Sequence, residues 1–162
     1  MSKSLARVTA ALAAAGMDTR PVQMPDQTRT AQQAADAAGC ALDQIVKSII
    51  LAGSSGKFYL FLTAGGAMVD MARAAVLAGE PLARADAEAV RTATGFAIGG
   101  VAPIGHISPI PIWMDENLWQ FSTIWAAAGT PHHIFKTTPQ DLQKISGACQ
   151  AAFTNKVSDL GR

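Results

Sequence analysis

The chain has 162 residues, 49% of them hydrophobic and 15% charged, with a formal net charge of +1. That length suits one compact domain burying roughly two-thirds of its unfolded surface, and so apolar a composition excludes a disordered chain. Near-neutrality excludes a strong general grip on phosphates, which needs many Lys and Arg, so no DNA partner is expected and any nucleic acid must be held at a small local site.

Leu5 to Ala15 places Leu5, Val8 and Leu12 at helical spacing, with Gly16 as a stop. This reads as an amphipathic helix rather than a signal peptide. Arg20 to Met24 is extended, since Pro21 and Pro25 exclude a helix interior. Thr30-Ala31-Gln32-Gln33 fits a capping box that opens a second helix with a small alanine face, closed by Gly39. Ile45 to Leu51 is β-branched and apolar, and reads as a buried strand. A turn at Ser54-Ser55-Gly56 joins it to a second strand, Phe58 to Leu62. Ser54-x-x-Lys57 matches the SxxK pattern of some acyl-transferring enzymes, but lies in a hairpin turn and not at a helix start.

Gly65-Gly66 breaks the chain before two expected helices, Met68 to Leu77 and Asp86 to Thr94. Gly95 to Gly105 is a glycine-rich loop. Strands follow at Ile110 to Met114, Ile124 to Ala128 and His133 to Lys136, and Thr138-Pro139 starts the last helix with Thr as N-cap and Pro at N1. Residues 154–162 show no apolar periodicity and are expected to be a frayed C-terminal tail, leaving one domain over 1–153. Mixed helices and hairpins, without regular βαβ alternation, favour an α+β fold. No apolar run approaches the ~20 residues of a membrane span, and Cys40 and Cys149 form no CxxC pair and read as free thiols. A soluble cytoplasmic protein with no membrane partner is therefore expected.

Three features could carry chemistry. Lys47 interrupts an apolar strand, sharing one side with Ile45 and Ile49, so it either reaches solvent or sits in a cleft where its ammonium meets a phosphate or a carbonyl oxygen. Gly99-Gly100-Val101-Ala102-Pro103-Ile104-Gly105 specifies a rigid loop, either a structural turn or a presenter of backbone N–H groups to an oxyanion. In His132-His133 the two rings point opposite ways on an extended segment, so only one faces a given pocket. No His, Cys and carboxylate set has metal-ligand spacing, and no Ser sits in a GxSxG elbow. Neither a metal nor another cofactor is expected.

Taken in order, Thr30-Ala31-Gln32-Gln33-Ala34-Ala35, Gln44-Ile45-Val46-Lys47-Ser48, Thr94-Gly95-Phe96 through Gly99 to Gly105, and Ile124-Trp125-Ala126-Ala127-Ala128-Gly129 resemble the YbaK/prolyl-tRNA synthetase editing-domain family. The resemblance spans roughly residues 5 to 152. It implies a single α+β domain with a mixed, curled, barrel-like β-sheet surrounded by helices. It also implies a trans-editing aminoacyl-tRNA deacylase that hydrolyses the ester of a mischarged small amino acid, Ala on tRNA-Pro first, with Cys or another small residue next. By that resemblance Lys47 contacts the terminal nucleotide or the ester. Gly99 and Gly100 open a GxxxP-type loop whose N–H groups grip the carbonyl, and Val101, Ala102, Pro103, Gly105 and His133 bind substrate. By the same resemblance a terminal ribose hydroxyl either helps activate water or itself attacks, so no Ser or Cys nucleophile is needed. The implied partners are the 3′ end of an aminoacyl-tRNA and an aminoacyl-tRNA synthetase. The alternative is a tRNA- or synthetase-binding module without catalysis.

Overall fold

Local punctuation sets the helices of the computed structural model, which describes residues 2–156. Helix α1 (Lys3–Ala14) starts at Ser2, whose side chain accepts from the Leu5 N–H, and it buries Val8 and Leu12. Burial of each stabilises by about 1.5–3 kcal/mol. Helix α2 (Ala31–Ala38) carries both bonds of the expected capping box at Thr30 and Gln33, and ends at left-handed Gly39. Helix α4 (Ala87–Thr94) is capped by Asp86, and helix α5 (Pro139–Ser146) by Thr138 with proline in its first turn.

The strands form one mixed eight-stranded sheet and a separate pair. Strand β1 (Val22–Gln23) lies at one edge, followed by β8 (His133–Thr137), β7 (Ile124–Ala127), β2 (Ile45–Gly53), β3 (Phe58–Ala64), β6 (Ile112–Asp115) and β9 (Cys149–Ala151). Strand β5 (Leu82–Arg84) pairs with the far end of β2. The contacts β2–β7, β3–β6 and β6–β9 are parallel. Among the described residues β1 and β9 end the strand order without pairing to each other, so the sheet is not closed and the barrel-like expectation is corrected to an open mixed sheet.

Two expectations change around the glycine pair. Residues 67–69 are not helical. They form β4 (Ala67–Val69), and helix α3 (Met71–Ala78) begins only after Asp70, whose carboxylate accepts from the Ala72 and Arg73 N–H groups. The partner of β4 is β10 (Thr154–Lys156), so the first three residues of the expected tail belong to the fold. Phe153 anchors them: it is fully buried and meets Phe61 edge-on at 5.0 Å. The rest of that tail, 157–162, lies outside the described residues.

Strand β2 divides the core. Val46 and Ile50 enter the main cluster with Val8, Leu12, Phe96 and Phe135. On the alternate side Leu51 joins Tyr59, Phe61 and Phe153, while Ile45 packs with Ala34 and Ala35. Lys47 lies between those two satellite clusters. Across the hairpin, Glu80 holds the β2–β3 turn by accepting from the Tyr59 hydroxyl at 2.5 Å, the Ser55 N–H at 2.7 Å and the Ser55 hydroxyl at 2.8 Å.

Those donors, the Tyr59 hydroxyl foremost, hold the Glu80 carboxyl at about 2, below its ordinary 4.5. A depressed carboxyl stabilises the fold fully above its unfolded value and loses that contribution as the pH falls through the folded one. Glu80→Gln should therefore lower the thermal midpoint at neutral pH, and the gap to the parent protein should close as the pH falls from 4.5 towards 2. Thermal unfolding followed by circular dichroism across that range checks this, and an equal gap at both ends would refute it.

Candidate functional site

The turn between β3 and β4 is gripped by three charged side chains. The Asp115 carboxylate, fully buried, accepts from the Ala64 N–H at 3.0 Å. Asp43 accepts from the Gly66 N–H at 2.7 Å. The Lys47 ammonium donates to the Ala67 carbonyl at 2.5 Å. Glycines are required here by close approach: a Cβ on Gly65 would lie 2.2 Å from the Leu42 carbonyl oxygen, and one on Gly66 2.6 Å from the Asp43 carboxylate. Burial pushes the Lys47 ammonium below its ordinary value of 10.5, and the charges of Asp43 and Asp115 oppose that shift.

The glycine loop is fastened at both ends by Arg7 of α1. Its guanidinium donates to the Gly105 carbonyl at 2.7 Å and the Gly95 carbonyl at 2.9 Å, and lies 4.5 Å from the centre of the Phe96 ring. Within the loop the Gly100 N–H turns back onto the Ala97 carbonyl at 2.9 Å. Gly100 also abuts the turn before β8, where a Cβ would lie 2.6 Å from the Thr130 carbonyl carbon. Among the described residues, the Gly99 and Val101 N–H groups meet no acceptor.

Between this loop, α2 and the ends of β2, β7 and β8 lies a cavity of about 300 Å³. Lys47, Ser48, Gly99, Val101, Trp125 and His133 line it, with Ala31 and Ala34 forming the α2 wall. Among the described residues its lining holds two cations, Lys47 and Arg29, and no carboxylate. His133 bonds through Nδ1 to the Thr130 hydroxyl at 2.6 Å, and burial followed by the nearby His132 pushes its pKa below the ordinary 6.5, which favours the neutral ring.

The structure therefore gathers Lys47, Gly99, Val101 and His133 around one space. Gly100 lies behind the wall with its N–H already committed, and among the described residues the loop positions that line the cavity with an N–H meeting no acceptor are Ile98, Gly99 and Val101. Ala102, Pro103 and Gly105 do not line the cavity. Ala102 and Pro103 are buried in the loop's base, where the Ala102 carbonyl meets His106 Nε2 at 2.7 Å, and Gly105 is the Arg7 anchor. Sequence reasoning missed Arg29, whose one signal was its place just before the Thr30 cap, and Arg7, whose targets lie 88 and 98 residues away.

The chain matches the aminoacyl-tRNA editing domain family over residues 25–145. An uncharacterized protein of Bacillus subtilis (strain 168), YwhH, is 30% identical over 117 residues, covering 72% of this chain and 74% of the relative. A crystal structure described as a proposed trans-editing enzyme for prolyl-tRNA synthetase superposes with a TM-score of 0.91 at 44% identity, covering 96% of this chain and 99% of that one. The hypothetical protein APE2540 superposes with a TM-score of 0.85 at 27% identity, covering 92% of this chain and 99% of that one.

Because desolvation and two carboxylates pull Lys47 in opposite directions, Asp43→Asn should move its titration further down while leaving an acceptor oxygen for the Gly66 N–H. Side-chain NMR of the Lys47 ε-position against pH reads this directly. An unchanged or raised midpoint in the variant would show that Asp43 does not support the ammonium.

Proposed function

The chain belongs to the aminoacyl-tRNA editing domain family, and on that premise we propose that it is a trans-editing deacylase, hydrolysing the ester between a mischarged small amino acid and the 3′-terminal adenosine of a tRNA. The observation that carries this reading is the meeting of a half-buried ammonium, Lys47, with a loop whose Ile98, Gly99 and Val101 N–H groups meet no acceptor among the described residues, at one cavity. Ester hydrolysis develops negative charge on the carbonyl oxygen, and preorganised donors in a partly dry site stabilise it, by about 3 kcal/mol per donor in well-studied cases.

Among the described residues of the wall, the Ser48 hydroxyl has no hydrogen-bond partner and hence no adjacent base, whereas the Thr130 hydroxyl meets His133 Nδ1 at 2.6 Å. We take water as the attacking group, with the Thr130 hydroxyl as the anchor of the His133 ring. Water adds to the carbonyl, the acyl–oxygen bond breaks, and the products are the free amino acid and the tRNA hydroxyl. A terminal ribose hydroxyl is the group best placed to orient that water, since it arrives with the ester. His133, held by Thr130, lines the same wall and shapes it.

Substrate choice then rests on shape. A hydrophobic pocket separates side chains by roughly 1 to 3 kcal/mol per methylene, and here Ala31 and Ala34 leave room along α2. Alanine on tRNA-Pro is the first candidate, with cysteine or another small residue next, and a synthetase is the fitting partner to supply tRNA selectivity. Such a reaction belongs in the cytoplasm.

Incubation with a panel of mischarged tRNAs should release at least one small amino acid, and Lys47→Ala should slow that release about 100-fold. No release above buffer on any member, or equal rates in the variant, would overturn the assignment of the activity or of Lys47. Ala34→Leu, which projects a larger side chain into the cavity, should reduce release of the bulkier members of the panel far more than release of the smallest. Uniform loss across the panel would place Ala34 outside the side-chain pocket.

A further inference from the structure

Helix α1 lines no part of the cavity, yet it touches two of its walls from behind. Arg7 makes the first contact. Its half-buried guanidinium donates to the carbonyls of Gly95 and Gly105, at the two ends of the glycine loop, and lies over the ring of Phe96. Among the described residues no carboxylate pairs with it. Gly129, in the turn between β7 and β8, makes the second contact. A Cβ there would lie 2.6 Å from the Ser4 carbonyl oxygen and 3.0 Å from the Val8 side chain, so only glycine lets this turn seat on the helix. The same turn carries Thr130, the anchor of His133. Gly100 of the loop abuts it, where a Cβ would lie 2.6 Å from the Thr130 carbonyl carbon and 2.9 Å from the Pro131 nitrogen. Loop and turn therefore meet each other at Gly100, and both rest on α1.

We infer that Arg7 is a positioning residue for the deacylation: by clamping both ends of the loop to α1 it fixes where the Ile98, Gly99 and Val101 N–H groups stand at the cavity, without touching the substrate. The inference rests on the deacylase reading for what those donors do. Residues 95–111 belong to no helix or strand, so no ladder of backbone bonds holds the loop. A guanidinium is a rigid planar fork and keeps two carbonyls at a set spacing, whereas a lysine ammonium is a point charge on a flexible stem. Phe96 is fully buried in the main core, so the stacked guanidinium is itself seated on a fixed surface. Donors to a developing oxyanion act by being in place before the charge forms. Their misplacement therefore slows the chemical step more than it weakens binding.

The test uses the full chain and two variants, Arg7→Lys, which keeps the charge, and Arg7→Gln, which keeps one donor group. Backbone amide relaxation by NMR reads the loop. Release of amino acid from the mischarged tRNA panel, timed well below each variant's thermal midpoint, reads the reaction. In both variants the Ile98, Gly99 and Val101 amides should become mobile, while that of Gly56, in the β2–β3 turn, keeps its parental value. The kcat should fall about tenfold or more with KM held within about twofold. A merely structural role would lower the thermal midpoint and leave the kcat of the folded protein as it was. Unchanged relaxation in both variants, a parental kcat despite a mobile loop, or a raised KM at constant kcat would each overturn the inference. So would full recovery of both readouts in Arg7→Lys, since charge without the fork would then suffice. The outcome separates from that of the deacylase reading. Mobile amides in variants of a parent that releases nothing leave the clamp and remove the reaction, whereas equal release by the parent and both variants leaves the enzyme and removes Arg7 from its support.

Discussion

The four-residue turn at 64–67 holds three charged side chains that the rest of the site depends on. Asp115 takes the N–H of Ala64, Asp43 takes that of Gly66, and Lys47 gives a proton to the carbonyl of Ala67. Each charge meets a backbone dipole, and no ion pair forms directly between them. The arrangement is possible because two glycines let the turn approach the 3-10 segment Leu42–Gln44 more closely than any side chain would allow. The same turn leads into β4 and so to β10 and the buried Phe153, which means that the lysine, the hairpin and the C-terminal strand pack as one unit.

A half-buried ammonium is under strain from lost hydration, and its pKa falls for that reason. Direct pairing with a carboxylate would restore the charge and occupy the group. Carboxylates that are instead spent on backbone N–H groups support the cation at a distance and leave its other two protons free. One donor of Lys47 fixes where it stands, and the rest of its capacity faces the cavity. The Gly99 and Val101 N–H groups stand in a comparable position: the loop is fastened from outside by Arg7 and closed internally by Gly100, so these donors are held in place without being consumed.

Much of this was legible in the sequence wherever the signal was local. The capping box at Thr30, the apolar run through Lys47, the hairpin at 54–57 and the Thr138-Pro139 start all depend on neighbours within a few residues, and the structure has them. The α+β class followed from element order. What could not be read was short or distant. Strands β4, β5, β9 and β10 have three residues each, too few for alternation to show, and Met68 was drawn into a helix because Asp70, the true cap, lay inside the expected one. Apolar periodicity has no means of marking Phe153 as core, since its partner Phe61 comes from β3, far away in the chain. In the glycine loop, composition showed rigidity but not which N–H groups remain free, because that is decided by Ala97 and by the Thr130 turn.

The low charge of the chain takes on a more definite meaning in this light. The stretch between Arg91 and Lys136 holds no Lys or Arg, yet it forms the wall opposite Lys47. The cations of the site come from earlier in the chain, Arg29 and Lys47 at this cavity and Arg84 at a second, of about 290 Å³, on the other side of Lys47. A wall without cations cannot hold a polyanion by counterion release, so recognition there must come from contact with apolar surface and from a few oriented dipoles. Lys47 stands where two cavities meet, in a wall they share with Ser48, Ile49, Ile98 and Val101, so the one cation of that wall is reached from both sides.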